Sequence, residues 1–223
     1  SLDQHIATEM EIQQILDGQS GTIQWIGVYD VGQGSTNGLC DAYGMPNCYF
    51  DLGGGVLGNA NTFSNLLSDI CVSFNPLVLL SHWDWDHWSS GSRFPSAQSL
   101  TWIVPNQQLG AVHATFAATI LNAGGRILVW PKGASVLSSG QLTVRQCTGN
   151  GRNHSGLALE VEGPNGEPPI LLTCDARYSV IPGSNRPFTS VVVPHHGADM
   201  KNAFAPSCPQ LSHSRAAYSY GAQ

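Results

Sequence analysis

The sequence predicts an α/β protein in which two mixed β-sheets are flanked by helices. Three observations predict it. Short apolar or alternating segments of strand length interleave with a few helical patterns, strands alone dominate from residue 141 onward, and no linker or break in composition divides the 223 residues. That length favours one domain, 1–223, around one sizeable core.

Taken in order, residues 2–16, "LDQHIATEMEIQQIL", space Ile6, Met10, Ile12 and Ile15 at near-helical intervals and predict a short amphipathic helix. "TIQWIGVYDVGQG" (22–34) predicts a strand that runs into a glycine-punctuated turn, and "NCYFDLGGG" (47–55) a second strand stopped by glycines. "NTFSNLLSDI" (61–70) reads as helix and "PLVLL" (76–80) as a buried strand. Strands "TWIVP" (101–105) and "RILVW" (126–130) bracket a helix over 106–125 that ends at a glycine pair. The remaining segments, "QLTVRQC", "GLALEVEG", "PILLTCD", "TSVVVPHHG" and "RAAYSY", all read as strands.

Composition excludes several function classes. With 42% hydrophobic and 11% charged residues the chain is globular and core-rich rather than disordered. Apolar runs reach about five residues, short of the roughly 20 that cross a bilayer as a helix. No charged segment followed by an apolar one opens the chain, so a cytoplasmic location is expected, with a leader removed before Ser1 as the alternative. Six cysteines without a C-x-x-C pair are expected as buried free thiols, and a Cys40–Cys48 bridge is the minor alternative. A net charge of −6 with only nine Lys plus Arg lacks the basic footprint of most nucleic-acid binders.

Chemistry concentrates in "SHWDWDHW" (81–88), where H-x-D-x-D-H places two imidazoles and two carboxylates in six positions. Such a set suits a first-row metal, and acids this close need a cation to hold them together. In an extended segment His82, Asp84 and Asp86 project to one side and Trp83 and Trp85 to the other, with His87 offset, a geometry that splits ligands between two neighbouring ions. Further ligand types end other apolar strands: Asp30 in "VYDVGQG", Asp175 in "ILLTCDA", and His195 with His196 in "VVVPHHG".

In this order, "DVGQG", "SHWDWDHW", "LLTCDA" and "VPHHGA" resemble the metallo-β-lactamase superfamily, and specifically its ComEC-like branch. That branch includes the lactamase-like domain of the bacterial DNA-uptake competence protein and a related phosphorylcholine esterase. The resemblance runs from about residue 22 to the end. It implies an αββα sandwich with a two-metal site along one edge of the paired sheets. His82, Asp84 and one of the two adjacent histidines, His195 by preference, would hold the first ion; Asp86 and His87 the second; and Asp175 would bridge them. Asp30 would orient ligands, and His196 would contact substrate or support the ligands. The ions implied are Zn²⁺, with Mn²⁺ as rival because Asp84 stands where the commonest motif has His. The branch also carries a final His whose counterpart would fall just past Gln223. Either the C-terminal end is cut short, or the second ion has one ligand fewer, with His154 and His213 as substitutes; His154 could also meet substrate.

The chemistry implied is hydrolysis by a metal-bridging hydroxide. Two divalent ions about 4 Å apart acidify a shared water and clamp the attacking and leaving oxygens. Asp86, Asp175 and His196 would sit at the reacting centre, Asp175 sharing the proton of the water and His196 protonating the leaving oxygen. The branch favours phosphodiesters, as a nuclease or a small phosphodiesterase, although the scarcity of Lys and Arg disfavours a long polyanion. Trp83, Trp85 and Trp88 could stack on a base or a choline-like cation, or simply wall the metal loop. Arg93, Arg152, Arg177 and Arg186 are the cations near motif segments able to meet a phosphate. Two alternatives remain: hydrolysis of a carboxylic ester, lactone or amide on the same site, and a metal-binding or inactive partner module of a larger assembly.

Overall fold

In the computed structural model, which describes residues 2–19, 22–163, 166–198, 204–209 and 211–218, the first helix, α1 (Glu9–Gly18), starts at a capping box. Thr8 Oγ1 accepts from Glu11 N (3.2 Å), and Glu11 Oε2 accepts from Thr8 N (2.9 Å). The extended backbone of Thr8 therefore ends the helix that the spacing predicts from residue 2, and Asp3–His5 forms a separate 3-10 turn.

Sheet A contains β1 (Trp25–Val28), β2 (Thr36–Cys40), β3 (Pro46–Leu52), β4 (Leu77–Leu79), β5 (Thr101–Val104) and β6 (Arg126–Val129), side by side in that order. Its first three strands pair antiparallel and the rest parallel. Sheet B runs β12-β11-β10-β9-β8-β7, from β7 (Val136–Ser139), β8 (Leu142–Gln146), β9 (Leu157–Val161) and β10 (Ile170–Leu172) to β11 (Ser190–Val192) and β12 (Arg215–Ala217). Here β7 to β10 pair antiparallel and β10 to β12 parallel. Two mixed sheets with helices against them are the α/β class the strand pattern predicts: α1 lies on β7, and α3 (Ala111–Asn122) on β6, with the short α2 (Ser89–Arg93) between β4 and β5 in sequence.

The inner strands β3 to β6 of sheet A are largely buried on both faces, so they read as nearly continuous apolar runs. Alternation sorts each strand between two cores. Cys48 and Phe50 of β3, with Leu77 and Leu79 of β4, face Leu157, Leu159 and Leu171 of sheet B. Tyr49, Val78 and Trp102 turn the other way and pack with Phe116 and Ile120 of α3.

Several expectations are corrected. Residues 61–70 are not helical: a 3-10 segment spans Leu57–Thr62, after which Ser64 Oγ accepts from Leu66 N and Asp69 Oδ1 from Ile70 N, side chains competing with the helix for its backbone donors. Helix α3 begins at Ala111, five residues later than predicted, after Gly110, whose N–H donates to His113 Nδ1. Strands β2 and β7 lack a strand signal; "TNGLC" joins the sheet because buried Asn37 donates its side-chain amide to Phe50 O (3.2 Å). All six cysteines are free, which removes the Cys40–Cys48 bridge. The last strand covers Arg215–Ala217, and residues 219–222 of the expected "AAYSYGA" segment lie outside the described residues. No helix among the described residues is long and apolar enough to cross a membrane.

Candidate metal centre

Strand β4 ends at Leu79, and the ligand-rich stretch leaves it as a bend followed by a 3-10 turn over Trp85–His87. His87 N donates to Asp84 O (3.0 Å) and Trp88 N to Trp85 O (3.2 Å), so the stretch is not extended as its alternation suggests. The turn swings His87 back beside His82, with ring centroids 4.0 Å apart. His87 is therefore buried beside His82 rather than offset from it.

The support beneath this loop is Asp51, at the end of the neighbouring β3, which the sequence reading did not single out. Its carboxylate accepts from Ser81 N (2.7 Å) and Ser81 Oγ (2.8 Å), and lies 2.7 Å from His87 Nδ1. A carboxylate on Nδ1 fixes the tautomer and leaves Nε2 free to ligate. Asp30, expected in this role, is exposed after the edge strand β1 and makes none of these bonds. Glycine turns hold the loop from outside: Ser35 N (3.1 Å) and Gly54 N (2.9 Å) donate to Asp86 O, and a Cβ on Gly53 would sit 1.6 Å from that oxygen.

Sheet B supplies the facing groups. Asp175 follows β10, while His195 and His196 follow β11 in a 3-10 turn. Among the described residues six non-glycine positions have positive φ, and four of them are Asp51, Cys174, His195 and His196. Backbone strain is thus concentrated at and beside the cluster, where surrounding structure holds it in place.

The two oxygens of Asp175 face different neighbours. Oδ2 lies 3.7 Å from His82 Nε2 and 3.9 Å from His195 Nε2, and His82 Nε2 lies 3.5 Å from Asp84 Oδ2. Oδ1 lies 3.3 Å from His87 Nε2 and 3.8 Å from His196 Nε2, and His196 Nε2 lies 3.2 Å from Asp86 Oδ2. Among the described residues two sets sit closely enough to share an ion: His82, His87 and Asp175; and Asp86, His87 and His196. His196, expected at substrate, lies among these ligand-type atoms with a side chain only 10% exposed, whereas His195 is 44% exposed.

These residues fit a metal. Nε2 of His82 and Nε2 of His87 are buried and make no hydrogen bond. A buried unpartnered nitrogen costs free energy that an ion would recover. Atoms bound about 2.1 Å from one ion in a tetrahedron lie roughly 3.4 Å from one another. Apart from the 3.2 Å contact of His196 with Asp86, which is also a hydrogen bond, the separations of 3.3 to 3.9 Å match that spacing better than they match hydrogen bonds.

Electrostatics bind the set together. Burial would raise the carboxyls of Asp84 and Asp175, yet both are held well below the usual carboxylate range, Asp84 by His82 and Arg152 and Asp175 by His87 and His82. Asp86 is lowered too, its burial outweighed by His196 and His87. Burial opposes the charge on His87, but Asp175 and Asp51 raise its pKa well above the ordinary value. Burial and Arg177 lower that of His154.

The remaining candidates separate clearly. Trp83 is fully buried and donates Nε1 to Pro105 O (3.3 Å), so it walls the loop and offers no face to substrate. Trp88 stacks on Phe116 at 4.4 Å, and only Trp85 is exposed. His213 pairs with Glu167 at 2.8 Å, away from the cluster. His154 is half-buried next to it, with Nδ1 unpartnered. Cys174, beside Asp175, is buried, and burial pushes its thiol pKa up.

No protein-family model matches the chain, and no curated protein matches it. Among solved structures the chain is similar to the metallo-β-lactamase fold protein YhfI from Bacillus subtilis, with 14% identity, a TM-score of 0.44, and coverage of 76% of this chain and 71% of that one. It is also similar to a metallo-β-lactamase with a HARLDQ motif from Cronobacter sakazakii, with 11% identity, a TM-score of 0.36, and coverage of 80% and 67%.

Proposed function

We propose that this protein is a dinuclear metal-dependent hydrolase of the ComEC-like branch of the metallo-β-lactamase superfamily, acting on phosphodiesters. One observation carries the reading: the buried, unpartnered Nε2 atoms of His82 and His87 face opposite oxygens of a single buried carboxylate, Asp175. His82, Asp84 and His195 would hold one ion, Asp86, His87 and His196 the other, and Asp175 would join both. A mixed nitrogen and carboxylate set suits Zn²⁺, and the share of oxygen ligands keeps Mn²⁺ as the rival.

Divalent ions held there would supply Lewis acidity and a water that loses its proton near neutral pH. The chain's own residues do the rest. Asp51 keeps His87 in the tautomer that points Nε2 inward. In this reading Asp86 and Asp175 would hold the reacting centre, and Asp175 would share the proton of the attacking water. With Nε2 of both His195 and His196 assigned to the ions, neither imidazole is free to hand a proton to a leaving oxygen, the role expected of His196. Four carboxylates, those of Asp51, Asp84, Asp86 and Asp175, leave the site with no net positive charge to spare once two divalent ions are bound. An anionic substrate therefore needs cations from outside the ligand set.

Metal content by mass spectrometry, beside hydrolysis of bis(p-nitrophenyl) phosphate, tests the reading. Near two equivalents of Zn or Mn are expected in the native protein, falling below one in Asp175→Ala, with turnover lost in parallel. Absence of bound metal would overturn the proposal, and turnover of carboxylic esters with phosphodiesters untouched would select the ester reading instead.

A further inference from the structure

The segment "GNGRNHSG" (149–156) is packed against the metal loop although it contributes none of the expected ligands apart from the substitute candidate His154. A Cβ on Gly156 would lie 2.3 Å from Ser81 O, and Leu157 N donates to that same oxygen at 2.7 Å. The side-chain amide of Gln107 joins the two segments: Oε1 accepts from Trp83 N (3.2 Å), while Nε2 donates to Arg152 O (2.7 Å) and Ser155 Oγ (3.0 Å). The 3-10 turn Arg152–His154 is thereby held in register with the stretch that carries the ligands.

All three residues of the turn reach the site. Arg152 Nη1 donates to Asp84 Oδ1 at 2.5 Å, leaving Asp84 Oδ2 on the side of His82. Asn153 Nδ2 donates to Asp175 Oδ2 at 3.4 Å. His154 Nδ1 is buried without a hydrogen-bond partner and lies within electrostatic range of Arg177, His195 and Asp175. Of the other cations near motif segments, Arg186 is committed to buried Glu160, and Arg93 to Ser89 Oγ, Gly55 O and the face of Phe63. Among the described residues, Arg152 and Arg177 are the cations left at this rim in a chain with nine Lys plus Arg.

A salt bridge this exposed, with 36% of the Arg152 side chain and 30% of the Asp84 side chain open, adds little stability. Guanidinium carries five N–H donors in a planar fork, and one of them goes to Asp84. A fork of that shape matches the oxygens of a phosphoryl group.

We propose that the Arg152–Asn153–His154 turn is the substrate-recognition element of the site and Arg152 its specificity-determining residue. One edge of the guanidinium holds Asp84, and the other takes an anionic non-bridging oxygen of a phosphoryl group. The proposal rests on the metal-dependent phosphodiesterase reading, but it is tested separately from it. Inorganic phosphate binding to the Zn-loaded protein would be measured by calorimetry for the native chain, Arg152→Ala and Arg152→Lys, with metal content measured on each sample. Expected is weaker phosphate binding by about 10- to 100-fold in Arg152→Ala, partly regained in Arg152→Lys, at unchanged metal content. In turnover of bis(p-nitrophenyl) phosphate the same variants should raise KM more than they lower kcat.

Equal phosphate affinity in the native chain and Arg152→Ala would overturn the proposal, as would loss of metal from Arg152→Ala, which would make Arg152 a support for Asp84 alone. A native protein that binds phosphate through Arg152 yet cleaves no phosphodiester would instead sink the phosphodiesterase reading and leave the anion site standing.

Discussion

The two halves of the candidate site are built on different principles. The half on sheet A, residues 81–88, is contiguous in sequence and seats its two imidazoles in the interior: His82 and His87 are 0% and 1% exposed, and Asp51 on the adjacent strand satisfies both the loop backbone and His87. The half on sheet B comes from two separate strand ends and is held by left-handed backbone at Cys174, His195 and His196, with His195 open to solvent. The first half is braced by packing and hydrogen bonds around a single left-handed residue, Asp51; the second is presented by three left-handed residues. The braced half should therefore set stability and metal retention, while the presented half adjusts reactivity at little structural cost.

The largest test of this contrast is Asp51→Ala. It leaves Ser81 N, Ser81 Oγ and His87 Nδ1 buried without their acceptor, a loss of about 3–5 kcal/mol. Thermal melting should fall by roughly 10 °C or more, and metal affinity by about 10- to 100-fold. A loss below about 1 kcal/mol would mean that the two halves are equally braced.

Acidity provides the next test, on metal-free protein followed by urea titration across pH. The carboxyls of Asp175 and Asp84 are depressed in the folded state, so their stabilisation is present above about pH 4 and fades as pH falls below it. His87 is raised, so its contribution is complete below about pH 6.5 and is lost as pH rises through the higher folded-state value. Stability should peak between these limits, and Asp51→Asn should blunt the alkaline loss. A curve that stays flat above pH 6.5 would remove the charged His87 from the account.

The smallest effect is expected on the other half. His195→Ala, at a side chain 44% exposed, should shift stability by no more than about 0.5 kcal/mol in chemical denaturation. A drop comparable to that of Asp51→Ala would erase the distinction between the halves.

Much of this was legible beforehand. Apolar runs ended by Gly, Asp or His located β3, β4, β10 and β11, and the density of ligand types in "SHWDWDHW" marked the site. Misread were segments whose local signal lost to context: 61–70, where Ser and Asp side chains capture the backbone, and β2, whose Asn and Gly join a sheet only because β1 and β3 flank it. Alternation along an extended strand placed His87 outside the row; a single turn of 3-10 helix moved it to the centre.

Asp51 shows where the boundary falls. "YFDLGG" and "VYDVGQG" carry the same signature, an aspartate leaving an apolar strand before a glycine turn, and nothing local ranks one above the other. By itself the sequence determined the donor chemistry, the strand ends that carry it and the glycines that let backbones approach. Only the tertiary structure decided that β3 lies beside β4 while β1 sits at the sheet edge, and so which aspartate supports His87. It likewise decided that Asp175 turns one oxygen toward His82 and the other toward His87. Ligand identity is a local property of side chains, whereas strand order and the meeting of two sheets are set by burial of faces far apart in the chain.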